Sequence, residues 1–411
     1  MTCVAPGMPH TGGRVGPGVT EPTPAQPVLL QPLTLRGVTL PNRLVVAPMC
    51  QYNVTDGVVG DYHLVHLGRF ALGGFGLVMV EATGVTAEGR ISPGDVGLWD
   101  DAQIPGLARV AAFLREHGSV PAIQLAHAGG KASTLRPWDG HGPVTAENAR
   151  PGDRPWTAVS PSGVPMGEGW PAPHPLTTAE LAGVREAFVA AAQRALTAGF
   201  AVAEVHAAHG YLLNQFLSPL TNLREDEYGG SLENRMRFPL EVVAAVRKVW
   251  PADLPLVVRV SAVDAQRDGT TLEDTIAFAR ELEALGVDAI DVSGGGIGAG
   301  WQHPIGYGYQ VPFAAAIREQ AGIPTMAVGL VVDPAQAEAV VATGQADLVA
   351  VAREAQDDPN FAVHAARALT GGSYDTYPVQ AGPRLAARDR LLHRLGPWTG
   401  PDPVLVEQPA S

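Results

Sequence analysis

Cysteine is nearly absent: the 411-residue chain has two, Cys3 and Cys50. That excludes a disulfide framework and any CxxC pair for zinc or an iron–sulfur cluster. Long apolar runs are missing too. The longest, LVVAP from Leu44 and FGLVMVEA from Phe75, fall far short of the ~20 residues that cross a bilayer. Basic charge is scarce, with 28 Lys and Arg against 41 Asp and Glu, and the net −13 disfavours binding to phosphate backbones. The opening MTCVAPGMPHTGG has neither a basic start nor an apolar stretch, so it does not read as a secretory signal. The expectation is a soluble cytoplasmic enzyme with no membrane or nucleic-acid partner.

What is present is a core: 46% of residues are apolar, too many for a disordered chain. Residues 1–27 are rich in Pro, Gly and Thr without periodicity and read as a disordered arm. Residues 381–411 read as an extension, with one helical stretch from Arg384 and a Pro-rich tail. Between them, LTLRGVTL (33–40) reads as a hairpin around Arg36-Gly37. Eight β-type runs follow: 44–50, 76–85, 120–127, 202–208, 256–261, 289–295, 324–329 and 348–353. Each precedes a helical pattern, as in 272–286, where Ile276, Ala279, Leu282 and Leu285 share a face and Thr271 with Asp274 forms a capping box. Eight such units predict an α/β fold of the (β/α)8 barrel type over 28–380. A doubly wound sheet would want a glycine fingerprint after its first strand, and LVVAPMCQY has none. The GGGIGAG run (294–300) lacks GxGxxG spacing and follows the sixth strand. About 50 residues, Ala128 to Pro175, separate the third strand from its helix. A loop that long, carrying Trp138, Trp156 and Trp170, predicts either a lid over the mouth or a segment packed onto the rim.

Barrel active sites lie at the C-terminal strand ends. Polar groups collect there: Cys50 and Tyr52 after the first run, Gln124, His127 and Lys131 at the third, and His206, His209 and Tyr211 at the fourth. Arg259 lies inside the fifth, and Ser293, Gly329 and Arg353 end the last three. A buried core needs none of these, and Arg or His there is costly unless paired. HEXXH is absent and no third ligand accompanies the two histidines, so no metal is expected. Two adjacent imidazoles suit hydrogen bonding to an electron-rich oxygen, and a tyrosine protonated at neutral pH can donate its proton.

The segments APMCQY, VEATGV, IQLAHAGGKA, VVRVSA and IDVSGG, and above all HAAHGYLLNQFLSPLTNLREDEYGGSLENR, resemble the Old Yellow Enzyme family of flavin ene-reductases, in its thermophilic-like bacterial NADPH dehydrogenase branch. The resemblance spans residues 28 to about 370. It implies a (β/α)8 barrel holding noncovalent FMN, with NADPH as reductant and a small-molecule alkene as substrate. Carried across residue by residue, it places Ala47, Pro48, Met49, Cys50, Ala82 and Gln124 on the flavin ring system. Arg259 falls near the pyrimidine end, and Gly329, Ala352 and Arg353 on the phosphate. His206 and His209 would bind the substrate oxygen, Tyr211 would supply the proton, and Tyr52 would contact substrate. Lys131 matches a family lysine near the site.

Three departures accompany the resemblance. Ala352 stands where relatives have glycine, and the lid is long. In the PVQAGPRL context, Arg384 is shifted from the arginine that relatives place in a neighbouring subunit's site, so Arg384 or Trp398 are the substitutes and the oligomer, dimer or tetramer, stays open. Two other readings also stay open: a flavin-free barrel lyase or isomerase, for which Lys131 is the one Schiff-base candidate, and a non-catalytic binding barrel.

Overall fold

The computed structural model describes residues 26–140, 142–298 and 303–400. Most of the expected N-terminal arm and the tail from 401 lie outside them. Eight parallel strands close into a barrel in chain order: β1 (Leu44–Val46), β2 (Leu77–Gly84), β3 (Val120–Ala126), β4 (Val202–Ala207), β5 (Leu256–Ser261), β6 (Ala289–Ser293), β7 (Thr325–Ala327) and β8 (Leu348–Val351), with β8 pairing back onto β1. Strand and helix alternate throughout, as the periodicity predicts. The first strand is shorter than its apolar run, because Pro48 has no N–H to pair. A register shift between Val80 and Thr83 bulges β2 and re-aims Glu81 and Ala82. The helix Leu272–Ala284 starts at the expected Thr271–Asp274 capping box and buries Ile276, Ala279 and Leu282.

The hairpin Leu33–Leu35 with Val38–Leu40 lies under the barrel. Leu35 and Leu40 pack with Val45, Leu77, Val202, Val257, Ala289 and Leu348, so one end of the barrel is sealed by an apolar plug. Arg36, at φ 50 in the turn, fastens it by donating to Asp288, to the Ala252 carbonyl and to the Gly286 carbonyl. The opposite end carries the long connection 128–175. It is tied by Arg136 to Asp153 and by the Trp156 indole N–H to the Glu88 carbonyl. Of the tryptophans, Trp156 packs on the rim, while Trp138, 59% exposed, meets Tyr52 edge-on at 6.0 Å. Among the described residues, no helix is long and apolar enough to cross a membrane.

Candidate active site

Alternation along a strand decides which side chains enter the barrel. On β4 the inward positions are Val202, Glu204 and His206; on β5 they are Val257, Arg259 and Ser261; on β6 they are Ala289, Asp291 and Ser293. The lowest of each set joins the apolar plug, and the highest reaches the mouth. A cavity of about 620 Å3 opens there. His209, Arg259 and Ser293 line one side, and Gly329, Leu330, Ala352, Arg353, Glu354 and Asp357 line the other.

The two histidines and the tyrosine converge. His206 lies 5.0 Å from Tyr211 and 5.2 Å from His209, centroid to centroid, with both ring pairs nearly perpendicular. Nδ1 of His206 accepts the Ala208 N–H, so its own proton sits on Nε2. Nε2 of His209 is 2.7 Å from the Ser293 hydroxyl, and its backbone, at φ 59, donates to Ser261. Among the described residues, the second nitrogen of each ring makes no hydrogen bond. Burial, reinforced by the positive charges of Arg259 and Lys131, holds both imidazoles well below their ordinary pKa. They are therefore neutral N–H donors at pH 7. Burial with the nearby Cys50 and Asp95 pushes the Tyr211 phenol well up, so it keeps its proton.

Lys131 is no loose surface charge. Its ammonium donates to the carbonyls of His209 and Gly296, each at 2.6 Å, and burial lowers its pKa to about 8. This clamp uses two of the three ammonium N–H groups and argues against a Schiff-base role. Gly296, at φ +101, lies so close that a Cβ there would stand 2.2 Å from the His209 carbonyl carbon. Part of the glycine run after β6 thus serves close backbone approach rather than nucleotide phosphate.

A second group flanks the first. Ala82, Ile91, Ala126, Ala128 and Ala132 form an apolar patch against which Cys50, Tyr52 and Tyr211 pack. Cys50 is half-buried and bonds with Tyr52; burial, Asp95 and Glu81 push its thiol up, so it is a thiol and not a thiolate. The loop carrying it is held by Glu81, which accepts the Gln51 N–H and contacts buried His63 at 3.2 Å. Gln124 lies deeper and donates to Glu204. Ala47 packs on the lower core, while Pro48 and Met49 are half-buried at the end of β1, Met49 against the main core. His127 is buried and accepts the Gly129 N–H. Arg384 is exposed on the helix Gly382–Leu395, and Trp398 is 80% exposed. Sequence reasoning passed over Glu204, Asp291, Asp95 and Glu81; for the first two, the signal was their two-residue spacing from His206 and Ser293.

A family description, NADH:flavin oxidoreductase / NADH oxidase, matches residues 28–371. The chain is a flavin oxidoreductase of the Old Yellow Enzyme family. It is 46% identical over 344 residues to an NADPH dehydrogenase of Geobacillus thermodenitrificans, covering 83% of this chain and 94% of that protein. It is 46% identical over 343 residues to an NADPH dehydrogenase of Bacillus licheniformis, with the same coverage. Among solved structures it is similar to morphinone reductase, with a TM-score of 0.70 and 30% identity over 85% of this chain and 91% of that one. Another morphinone reductase structure, in complex with tetrahydroNAD, gives a TM-score of 0.68 and 29% identity over 84% and 92%.

FMN is the flavin of this family, and the residues present fit it. The cavity joins a guanidinium whose Nε has no well-aligned acceptor, on Arg259, to the loops after β7 and β8, where barrels bind phosphate. Gly329, at φ +116, keeps its backbone bare there, since a Cβ would stand 3.0 Å from the Gln310 side chain. Ala352 in place of glycine still offers its N–H. Among the described residues, no cluster of three or more His, Cys, Asp or Glu could hold a metal ion.

Proposed function

We propose that the chain is an FMN-dependent ene-reductase that takes reducing equivalents from NADPH and saturates activated C=C bonds in α,β-unsaturated carbonyls, maleimides and nitroalkenes. Ala47, Pro48, Met49, Cys50, Ala82, Gln124 and Arg259 would hold the ring system, and Gly329, Ala352 and Arg353 the phosphate. When bound, the flavin supplies the two-electron carrier, taking hydride from NADPH and passing it to the β-carbon of the alkene.

The observation that carries this reading is a pair of imidazoles in ring contact beside a phenol, with His209 lining that cavity; burial keeps the imidazoles uncharged and the phenol protonated. Two N–H donors aimed at a carbonyl or nitro oxygen draw density from the β-carbon and stabilise the enolate charge that develops. Tyr211 holds the proton for the α-carbon. Tyr52, edge-on to Trp138, bounds the space a substrate would fill. The NADPH dehydrogenase relatives and the tetrahydroNAD complex support a nicotinamide reductant.

The test is anaerobic stopped-flow on the FMN-loaded chain. NADPH should bleach the yellow enzyme and an enone restore the colour. Tyr211→Phe should slow reoxidation by about 10²–10⁴ while bleaching survives. An unchanged reoxidation rate removes Tyr211 from the role of proton donor.

A further inference from the structure

The middle layer of a parallel barrel is ordinarily filled by bulky apolar side chains. Here it contains Gln124, Glu204, Arg259 and Asp291, one from each of β3 to β6, all buried. Gln124 donates to Glu204 Oε1 at 2.7 Å, and Arg259 Nε lies 3.1 Å from Asp291 Oδ2. The two carboxyl groups contact each other, yet Glu204 Oε2 and both Asp291 oxygens receive no well-aligned N–H or O–H. Two carboxylates against one guanidinium would also leave an uncompensated charge in the interior, an expensive arrangement. A single proton between the carboxyls cures both defects: it supplies the missing donor and brings the layer to zero charge.

We propose that Glu204 and Asp291 are positioning residues, a carboxyl pair that shares one proton beneath Arg259 and, by keeping or releasing it, sets the charge presented to the flavin's pyrimidine end. This rests on the flavin reading above. Burial pushes both carboxyls upward, the charge of Asp291 adds to this at Glu204, and Arg259 opposes it at both, helped at Asp291 by the hydrogen-bonding contact from Glu204. Gln124 and Arg259 face the pair, while His206, His209 and Lys131 couple electrostatically to Arg259 or to one another at the mouth. Reduction adds negative charge above Arg259, so it favours the protonated pair, and the proton comes from solvent. Loss of that proton at alkaline pH puts a second negative charge below Arg259 and disfavours the reduced state.

The test compares reduction potentials of FMN-loaded wild type, Glu204→Gln and Asp291→Asn from neutral to alkaline pH. Gln or Asn keeps a hydrogen-bonding partner but breaks the proton-sharing pair. Wild type should show a window in which the potential falls more steeply, and both variants should lack it. The reduction equilibria should agree near neutrality and diverge on the order of tenfold in favour of Glu204→Gln at alkaline pH. A merely structural role would shift FMN affinity or melting temperature without changing the shape of the pH curve. A steep window absent from wild type, or kept in the variants, overturns the proposal; if Glu204→Gln does not fold, Asp291→Asn alone decides. A wild type that cannot take up FMN would instead sink the flavin reading itself.

Discussion

The wall built by β3 to β6 and the wall built by the β1 end and the lid meet at Tyr211, yet they are made differently. The first is tight and polar: His209, Ser293 and Lys131 interlock through short hydrogen bonds, with backbone against backbone at Gly296. The second is apolar and looser. Cys50 and Tyr52 rest on a patch of small side chains, and Trp138 stands over half in solvent. Fixed dipoles can stabilise charge only if they do not reorganise, so the first wall suits electrostatics. The second, carried on a long loop, suits fitting the shape of what enters.

One substitution made in both walls should break or sharpen that contrast. Gly296→Ala forces a Cβ into the His209 backbone at positive φ and should cost about 3 kcal/mol or more in denaturant unfolding. Gly152→Ala in the lid, at φ +95 with nothing within 4 Å, should cost only about 1–2 kcal/mol. Equal losses would mean that the two walls are equally rigid.

Asp95 joins the walls and offers the next effect. It is buried where Cys50, Tyr52 and Tyr211 feel its charge, accepts from Ile91 and Ser92, and burial raises its pKa to about 7. The folded state thus holds this proton more tightly than the unfolded chain, where the pKa is near 3.9. Stability from this group is full below pH ~4 and is lost as pH rises toward 7. Wild type should therefore lose on the order of a few kcal/mol over that window relative to Asp95→Asn, measured as the difference in slope of stability against pH. Parallel slopes would show that Asp95 is already ionised in the fold.

The smallest effect is expected at an exposed aromatic of the lid. Trp138→Ala should leave stability within about 0.5 kcal/mol and change KM for bulky alkenes a few-fold, with little change in kcat. A large drop in kcat would move Trp138 from shaping the mouth to taking part in the chemistry.

Much of this was legible beforehand. The barrel shows in its alternating runs, and β5 spans the 256–261 stretch that the sequence marks out. The mouth shows in His206, His209, Tyr211 and Arg259, because such groups are costly at strand ends without a purpose. What escaped notice was nonlocal. Glu204 and Asp291 look incidental in apolar strands until parity aligns them with His206 and Ser293. Lys131 reads equally well as a surface charge, since only the folded chain brings the loop after β3 against the backbone of the loop after β6. The tryptophans of the lid announced a cover but not which of them would be fastened down.

The hairpin that stoppers the lower end has a consequence for traffic. With the lower end closed, whatever the site takes up has to come through the upper mouth. Under the proposed function, reductant and alkene would share that doorway, and an excess of either guest should obstruct the other.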